Sequence, residues 1–222
     1  MKITALLPMK GNSERVPNKN LKIFSGSPLY HKILNSLLAS KHIDNVVINT
    51  DSKNISNDIA NNYDERVIVI DRPKEIIGDH VSMNKVIEYD INQIDSDYYI
   101  QTHSTNPLLR TETIDNAIET MLKRKEKFDS IFSVTRMQTR LYGCDGTPLN
   151  HDPVKLIRTQ DLPPIYEENS NMYIFSKESF KNSGGKRIGK NALMFEIDKI
   201  EAIDIDELHD FIMAESLYKI LR

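Results

Sequence analysis

Five short apolar runs punctuate the first part of the chain: "ITALLP", "NVVINT", "RVIVI", "DYYIQTH" and "SIFSVT", beginning near Ile3, Asn45, Arg66, Asp97 and Ser130. Stretches with helical spacing lie between them. Leu29, Ile33, Leu34, Leu37 and Leu38 share one helix face, and Ile114, Ala117, Ile118, Met121 and Leu122 repeat the pattern. Thr111 is placed to cap the second of these helices, and "KRKEK" at its far end suits the negative pole of the helix dipole as a solvated helix end. Short buried strands alternating with helices predict βαβ units. The fold class is therefore α/β, with a doubly wound, mostly parallel sheet.

The alternation stops after Arg136. The stretch that follows carries several prolines, a "DG" turn signal and no clean period. It reads as an arm at about 137–164, either an ordered loop or an element packed against a second subunit. Regularity returns with a strand at "NMYIF", the turn-rich "KNSGGKRIGK", a strand at "EIDKIEAIDID" and a closing helix at "ELHDFIMAESLYKIL". With 222 residues, one domain spanning 1–222 is expected. A net charge of −3 excludes a strongly basic nucleic-acid surface, so any anion site must be a local cluster of cations. Cys144 is the single cysteine, which rules out an intrachain disulfide and suits a cytoplasmic protein. The apolar run at the start is too short for a signal peptide, and nothing approaches a membrane helix.

That cluster follows the first strand, in "PMKGNSERVPNKN" from Pro8 to Asn20. A loop leaving a strand of an open α/β sheet sits where ligands bind. Gly11 permits close backbone approach, Ser13 offers a hydroxyl, and Lys10, Arg15 and Lys19 supply charge for a phosphate chain. A solvated basic loop is the alternative. The loop is neither a Walker A motif nor a dinucleotide fingerprint.

Here the sequence resembles the nucleotide-sugar cytidylyltransferases, the family of the acylneuraminate (CMP-sialic acid) synthetases. Pro8, Gly11, Ser13, Pro17, Lys19 and Asn20 match the family loop, while Lys10, Asn12 and Glu14 depart from it. "TDS" at Thr50–Ser52, "DRPKEIIGDHVSMNKVI", "STNPLLR", "RTQDLPPIYEENSNMYIF", "KRIG" and "EAIDIDELHDFIMAE" resemble further family segments in the family's order. The resemblance implies a Rossmann-like, GT-A-like nucleotidyltransferase domain with a dimerisation arm. It also implies a reaction in which a sialic-acid-like or related 2-keto-3-deoxy sugar acid attacks CTP and pyrophosphate leaves.

By that resemblance Lys10, Gly11, Ser13, Arg15, Lys19 and Asn20 contact triphosphate, with Lys19 beside the reacting phosphate. Arg72 and Ser82 lie at the base, and Asp79 orients their loop. Asp204 and Asp206 are the catalytic Mg²⁺ candidates, because residues two apart in an extended segment face the same side. Asp206 as a cap on the closing helix is the competing role. The acceptor side falls on Gln101, His103 and Asn169, with Ser170 replacing a family glycine. His103 reads as an acceptor contact, a base near neutral pH, or a hydrogen-bonded core histidine. A glycosyltransferase using an Asp-x-Asp motif and a degenerate nucleotide-binding protein are the rival functions. CTP, a sugar acid and a second copy of the chain are the expected partners, with no nucleic acid and no membrane.

Overall fold

The computed structural model describes residues 1–221. The first strand, β1 (Ile3–Leu6), is buried at every position. Successive side chains of a strand point to opposite faces, so a strand covered on both sides needs apolar residues throughout. Accordingly Ile3, Ala5 and Leu7 join one core cluster, and Leu6 joins the cluster on the opposite face. After a small hairpin of β2 (Ile23–Phe24) and β3 (Ser27–Pro28), α1 (Tyr30–Leu38) buries Ile33, Leu34 and Leu37 as its spacing predicts. Then come β4 (Asn45–Thr50), α2 (Lys53–Asn62), β5 (Val67–Asp71), α3 (Met83–Gln93) and β6 (Tyr98–Thr102). The chain continues through α4 (Thr111–Arg124), β7 (Ser130–Met137), β8 (Ile165–Phe175), α5 (Lys177–Asn182), β9 (Ala192–Glu196) and α6 (Leu208–Leu221).

Seven strands form one sheet in the order β5-β4-β1-β6-β8-β7-β9. Every pairing is parallel except the two made by β8, which runs antiparallel between β6 and β7. The α/β, mostly parallel reading therefore stands, with one reversed strand inside it. Helices α1 and α4 cover one face, and α3 and α5 the other. No helix among the described residues is long and apolar enough to cross a membrane.

Three local expectations are corrected. Thr111 does not cap α4. It is the first helical residue, and its hydroxyl donates to the Ser36 carbonyl of α1 at 2.9 Å. "NMYIF" is only the buried end of β8, which begins at Ile165; its outer half faces solvent and so carries no apolar pattern. "EIDKIEAIDID" is not a strand beyond Glu196. The Asp198 carboxylate accepts from the Ile200 amide at 2.7 Å, an Asx turn that bends the chain off the sheet edge.

Between β7 and β8, residues 138–164 hold only an isolated bridge at Tyr142–Pro148 and a 3-10 turn at Thr159–Asp161. Leu149, Val154 and Leu156 on this segment are largely exposed.

Candidate active site

The carboxyl ends of β1, β4 and β6 converge on one side of the sheet, and β1 is prolonged there. The Leu7 and Met9 amides donate to the Val47 and Asn49 carbonyls, at 2.8 and 2.9 Å, which carries Lys10 and Gly11 to the "TDS" end of β4. The Gly11 amide donates to Asp51 Oδ1 at 2.7 Å. A Cβ on Gly11 would lie 2.9 Å from the Ser52 Cβ, so close packing against the end of β4 favours glycine here. Further on, Asn18 adopts the left-handed region (φ 53°), which asparagine tolerates. The 3-10 turn that follows, Lys19–Leu21, directs Lys19 inward. Asn20 clamps the loop: its amide donates to the Lys10 carbonyl at 2.9 Å, and its Oδ1 accepts from the Ser104 hydroxyl at 2.7 Å.

The result is a cleft of about 300 Å³ lined by Lys10, Ser13, Arg15, Lys19 and Asn20, with Asp79, His103, Ser104 and Thr105 opposite. Lys19 is its buried cation, 8% exposed, and donates to the Ile205 carbonyl at 2.5 Å. Burial lowers the Lys19 pKa, and the Asp204 and Asp206 carboxylates push it partly back. Ile205 is fixed from both sides, since its amide also donates to the Thr105 carbonyl at 2.9 Å. Its side chain is fully buried in a small cluster with Phe24, Leu29 and Phe211. With Ile205 locked inward, the residues on either side, Asp204 and Asp206, turn toward the cleft side.

Asp206 is not the cap of α6. The Asp206 and Glu207 amides are taken by Asp210 Oδ2, at 3.1 and 2.8 Å. The Asp206 carboxylate instead pairs with Arg15 across the cleft mouth at 2.6 Å. Lys10 pairs likewise with Asp79 at 2.6 Å, and that ion pair lowers the Asp79 pKa. Such exposed pairs contribute little to stability and exchange readily for a more highly charged partner. Asp204 reaches solvent at its surface yet is enclosed by surrounding protein. That desolvation, ahead of repulsion from Asp206, raises its pKa against the pull of its hydrogen bond with Thr105 and of Lys19.

Asp204 also borders a second cleft of about 540 Å³, lined with Asn169, Ser170, Glu168, Thr135 and Lys199. The Asn169 amide is tied to β7, accepting from Ser133 Oγ at 2.6 Å and donating to Thr135 Oγ1 at 2.9 Å. Ser170 stands at φ 58°, a left-handed backbone that glycine adopts more easily.

The remaining sequence-predicted residues are placed differently. Arg72 is buried beneath the loop, where its guanidinium donates to the Asn49 side chain (2.7 Å), the Asn49 carbonyl (2.9 Å) and the Met9 carbonyl (3.2 Å). It braces the cleft floor. Behind it Asn49 donates to the fully buried Asp90 at 2.6 Å, and burial raises the Asp90 pKa to about 7. Ser82 opens α3 on a separate groove with Asn84 and Lys85. Gln101 is fully buried and supports its neighbours: its Oε1 accepts from Arg187, so its Nε2 faces His103 Nε2 at 3.1 Å. His103 Nε2 is therefore the acceptor and the proton sits on Nδ1. Burial, aided by Arg187, lowers the His103 pKa to about 4, which makes it a neutral hydrogen-bonding group and a weak base at neutral pH.

Arg187 lies within "KRIG", and the sequence assigns it no role of its own. A single arginine between Gly185 and Gly189 in a turn-rich stretch was the available signal.

A basic loop over the carboxyl ends of parallel strands, a buried lysine and a pair of carboxylates constitute the equipment of a nucleotidyltransferase. The chain belongs to the cytidylyltransferase family, whose sequence model matches residues 4–219. It is 27% identical to the CMP-N,N'-diacetyllegionaminic acid synthase of Legionella pneumophila, over 99% of this chain and 97% of that one. It is 26% identical to the pseudaminic acid cytidylyltransferase of Campylobacter jejuni, again over 99% and 97%. The fold matches the solved structure of CMP:2-keto-3-deoxy-manno-octonic acid synthetase complexed with CTP, at a TM-score of 0.73, 13% identity and full coverage of both chains.

Proposed function

We propose that this chain transfers the cytidylyl group of CTP to a hydroxyl of a sialic-acid-like sugar acid, a nonulosonic or related 2-keto-3-deoxy acid, for surface-glycan synthesis. The observation that carries the reading is Lys19, buried in the cleft of the phosphate-binding loop and within the field of the Asp204–Asp206 pair, of which Asp204 borders the second cleft. The acceptor oxygen bonds to the α-phosphorus of CTP and loses its proton. The bond from that phosphorus to the β-phosphate oxygen breaks, and pyrophosphate leaves with the electron pair.

Such a reaction is governed by positioning and charge neutralisation. Lys10, Ser13, Arg15 and the Gly11 turn hold the triphosphate, Lys19 offsets charge at the reacting phosphate, and Asn20 keeps the loop closed. Arg72 acts beneath them, fixing the Met9 carbonyl. Asn169 and His103 border the acceptor and nucleotide clefts respectively.

Among the described residues no cluster of three or more metal-ligating side chains exists. Two carboxylates nevertheless fit Mg²⁺, which takes one or two from the protein and completes its shell with phosphate oxygens and water. Asp204 and Asp206 would hold it, and when bound it would offset phosphate charge. Arg15, released from Asp206, is then available to the triphosphate. The exposed Leu149, Val154 and Leu156 support assembly as a homodimer through residues 137–164.

The test is pyrophosphate release from CTP in the presence of Mg²⁺ and a panel of sugar acids. Release that requires both CTP and an acid is expected. Hydrolysis or transfer from a preformed sugar nucleotide, with no pyrophosphate, would refute the reading.

A further inference from the structure

Arg187 is a largely buried guanidinium in an unusual position, and burial lowers its pKa. The arginine ion pairs among the described residues belong to Arg15, Arg110 and Arg158, and none to Arg187. Its hydrogen-bond and ring partners are neutral and hold it rigidly, and Glu168, the carboxylate that acts on it, makes no ion pair with it. Nη1 donates to Gln101 Oε1, Nε donates to Asn84 Oδ1 at 3.2 Å, and the group lies over the Tyr173 ring, 4.1 Å from its centroid. The turn that delivers it is equally constrained. The Gly189 amide donates to Ser130 Oγ at 2.8 Å, and the Asp129 carboxylate accepts from the Lys190 amide at 2.9 Å. A Cβ on Gly189 would stand 2.1 Å from that carboxylate.

A buried cation without a direct ion pair is costly, and proteins retain one where a ligand supplies the counter-charge. Nη2 makes no hydrogen bond among the described residues and is not among the enclosed atoms lacking a partner, so that edge of the fork faces outward. Tyr173, beneath the guanidinium, donates to Glu168 at 2.5 Å and lies 3.2 Å from Ser170 Oγ; both of these residues line the cleft that Asp204 borders. On the other side Arg187 neighbours His103, which lines the nucleotide cleft. Arg187 lines neither cleft itself but adjoins residues of both, preset in orientation, with Nη2 unbonded.

We infer that Arg187 binds the carboxylate of the acceptor and so selects acids over neutral sugars. The inference rests on the proposed reaction and deepens it. A guanidinium fork matches a carboxylate in shape and charge, whereas a neutral hydroxyl would leave the buried charge uncompensated. Gln101, Asn84 and Tyr173 are positioning residues for it.

The experiment compares acids with their methyl esters. The panel is N,N'-diacetyllegionaminic, pseudaminic, N-acetylneuraminic and 2-keto-3-deoxy-manno-octonic acids, with CTP, Mg²⁺ and pyrophosphate release as readout. CTP binding is titrated separately by calorimetry for each protein. Wild type should favour an acid over its ester by roughly a hundredfold in kcat/KM, the scale of a buried charge-assisted pair. Arg187→Met should lose that discrimination through acceptor KM, with CTP affinity unchanged. Arg187→Lys, which keeps the charge without the fork, should retain part of it and serves if the methionine variant does not fold. Equal acid-to-ester ratios in wild type and variants would overturn the inference, as would a loss of CTP affinity with acceptor KM intact. Wild type that binds CTP yet neither binds nor uses any of the acids overturns it while sparing the nucleotide half. Wild type that binds no CTP overturns the proposed function itself.

Discussion

Replacing Lys19 by methionine removes one charge while keeping most of the side-chain stem. The ammonium lies between the basic loop and the two aspartates and is held by the Ile205 carbonyl at 2.5 Å. A cation about 4 Å from one unit of phosphate charge, at an effective dielectric of about 20, contributes about 4 kcal/mol. That converts to roughly a thousandfold in kcat if the interaction strengthens in the transition state. Stability should change less. The lost charge-assisted hydrogen bond costs about 1.5–3 kcal/mol, and removing a buried charge offsets part of it. The assay is pyrophosphate release with CTP and acceptor saturating, alongside a denaturant melt. Because Lys19 also anchors Ile205, the loss could arise from displaced carboxylates; excess Mg²⁺ should then restore turnover, and a direct charge effect is not restored. A folded Lys19→Met protein within tenfold of wild-type kcat would refute the reasoning.

Three further outcomes are expected. Gly11→Ala should weaken CTP binding about tenfold by calorimetry, since its Cβ meets the Ser52 Cβ at 2.9 Å, and Ser52→Gly should restore most of it because glycine caps α2 nearly as well as serine. Asp206→Asn should raise the Mg²⁺ concentration for half-maximal pyrophosphate release at least tenfold; an unchanged requirement with a lowered melting temperature would reassign Asp206 to a structural role. Asp90 keeps its proton to about 7 in the folded protein, against about 3.9 in an unfolded chain, so the folded state binds more protons in that window and stability is lost as pH rises through it. His103 works oppositely: its folded pKa of about 4 lies below the ordinary 6.5, so its contribution is lost as pH falls between those values. Asp90→Asn should therefore gain a few kcal/mol over wild type at pH 8 and nothing near pH 4, measured by urea unfolding; parallel curves would show that Asp90 is not the titrating group.

The layers of the fold were legible because buried strands and amphipathic helices write their burial directly into sequence. Leu34 and Leu37 of α1 and Val46 to Ile48 of β4 are examples. The cation-lined cleft was legible because charge clustered where a strand ends. What escaped was set by partners distant in sequence. Thr111 has the chemistry of a cap, yet its hydroxyl is claimed by Ser36 of another helix. Ile203 and Ile205 alternate with aspartates as in a strand, but the Asp198 turn and the Thr105 and Lys19 hydrogen bonds hold that segment off the sheet. Arg72 reads as a ligand-facing cation, and only its bonds to Asn49 and Met9 reveal a brace. Arg187 is the converse. Local sequence marks it only as an arginine in a glycine-bounded turn, because its partners come from β6, α3 and β8.

The central claim is that the loop from Pro8 to Asn20 holds the triphosphate of CTP. Calorimetric titration of the protein with CTP, UTP, ATP and GTP in Mg²⁺, with and without a sugar acid, tests it most directly. Selective binding of CTP, weakened in Lys19→Met, is the predicted result. Failure to bind any triphosphate under either condition, or binding of CTP that is indifferent to Lys19 and Gly11, would contradict it.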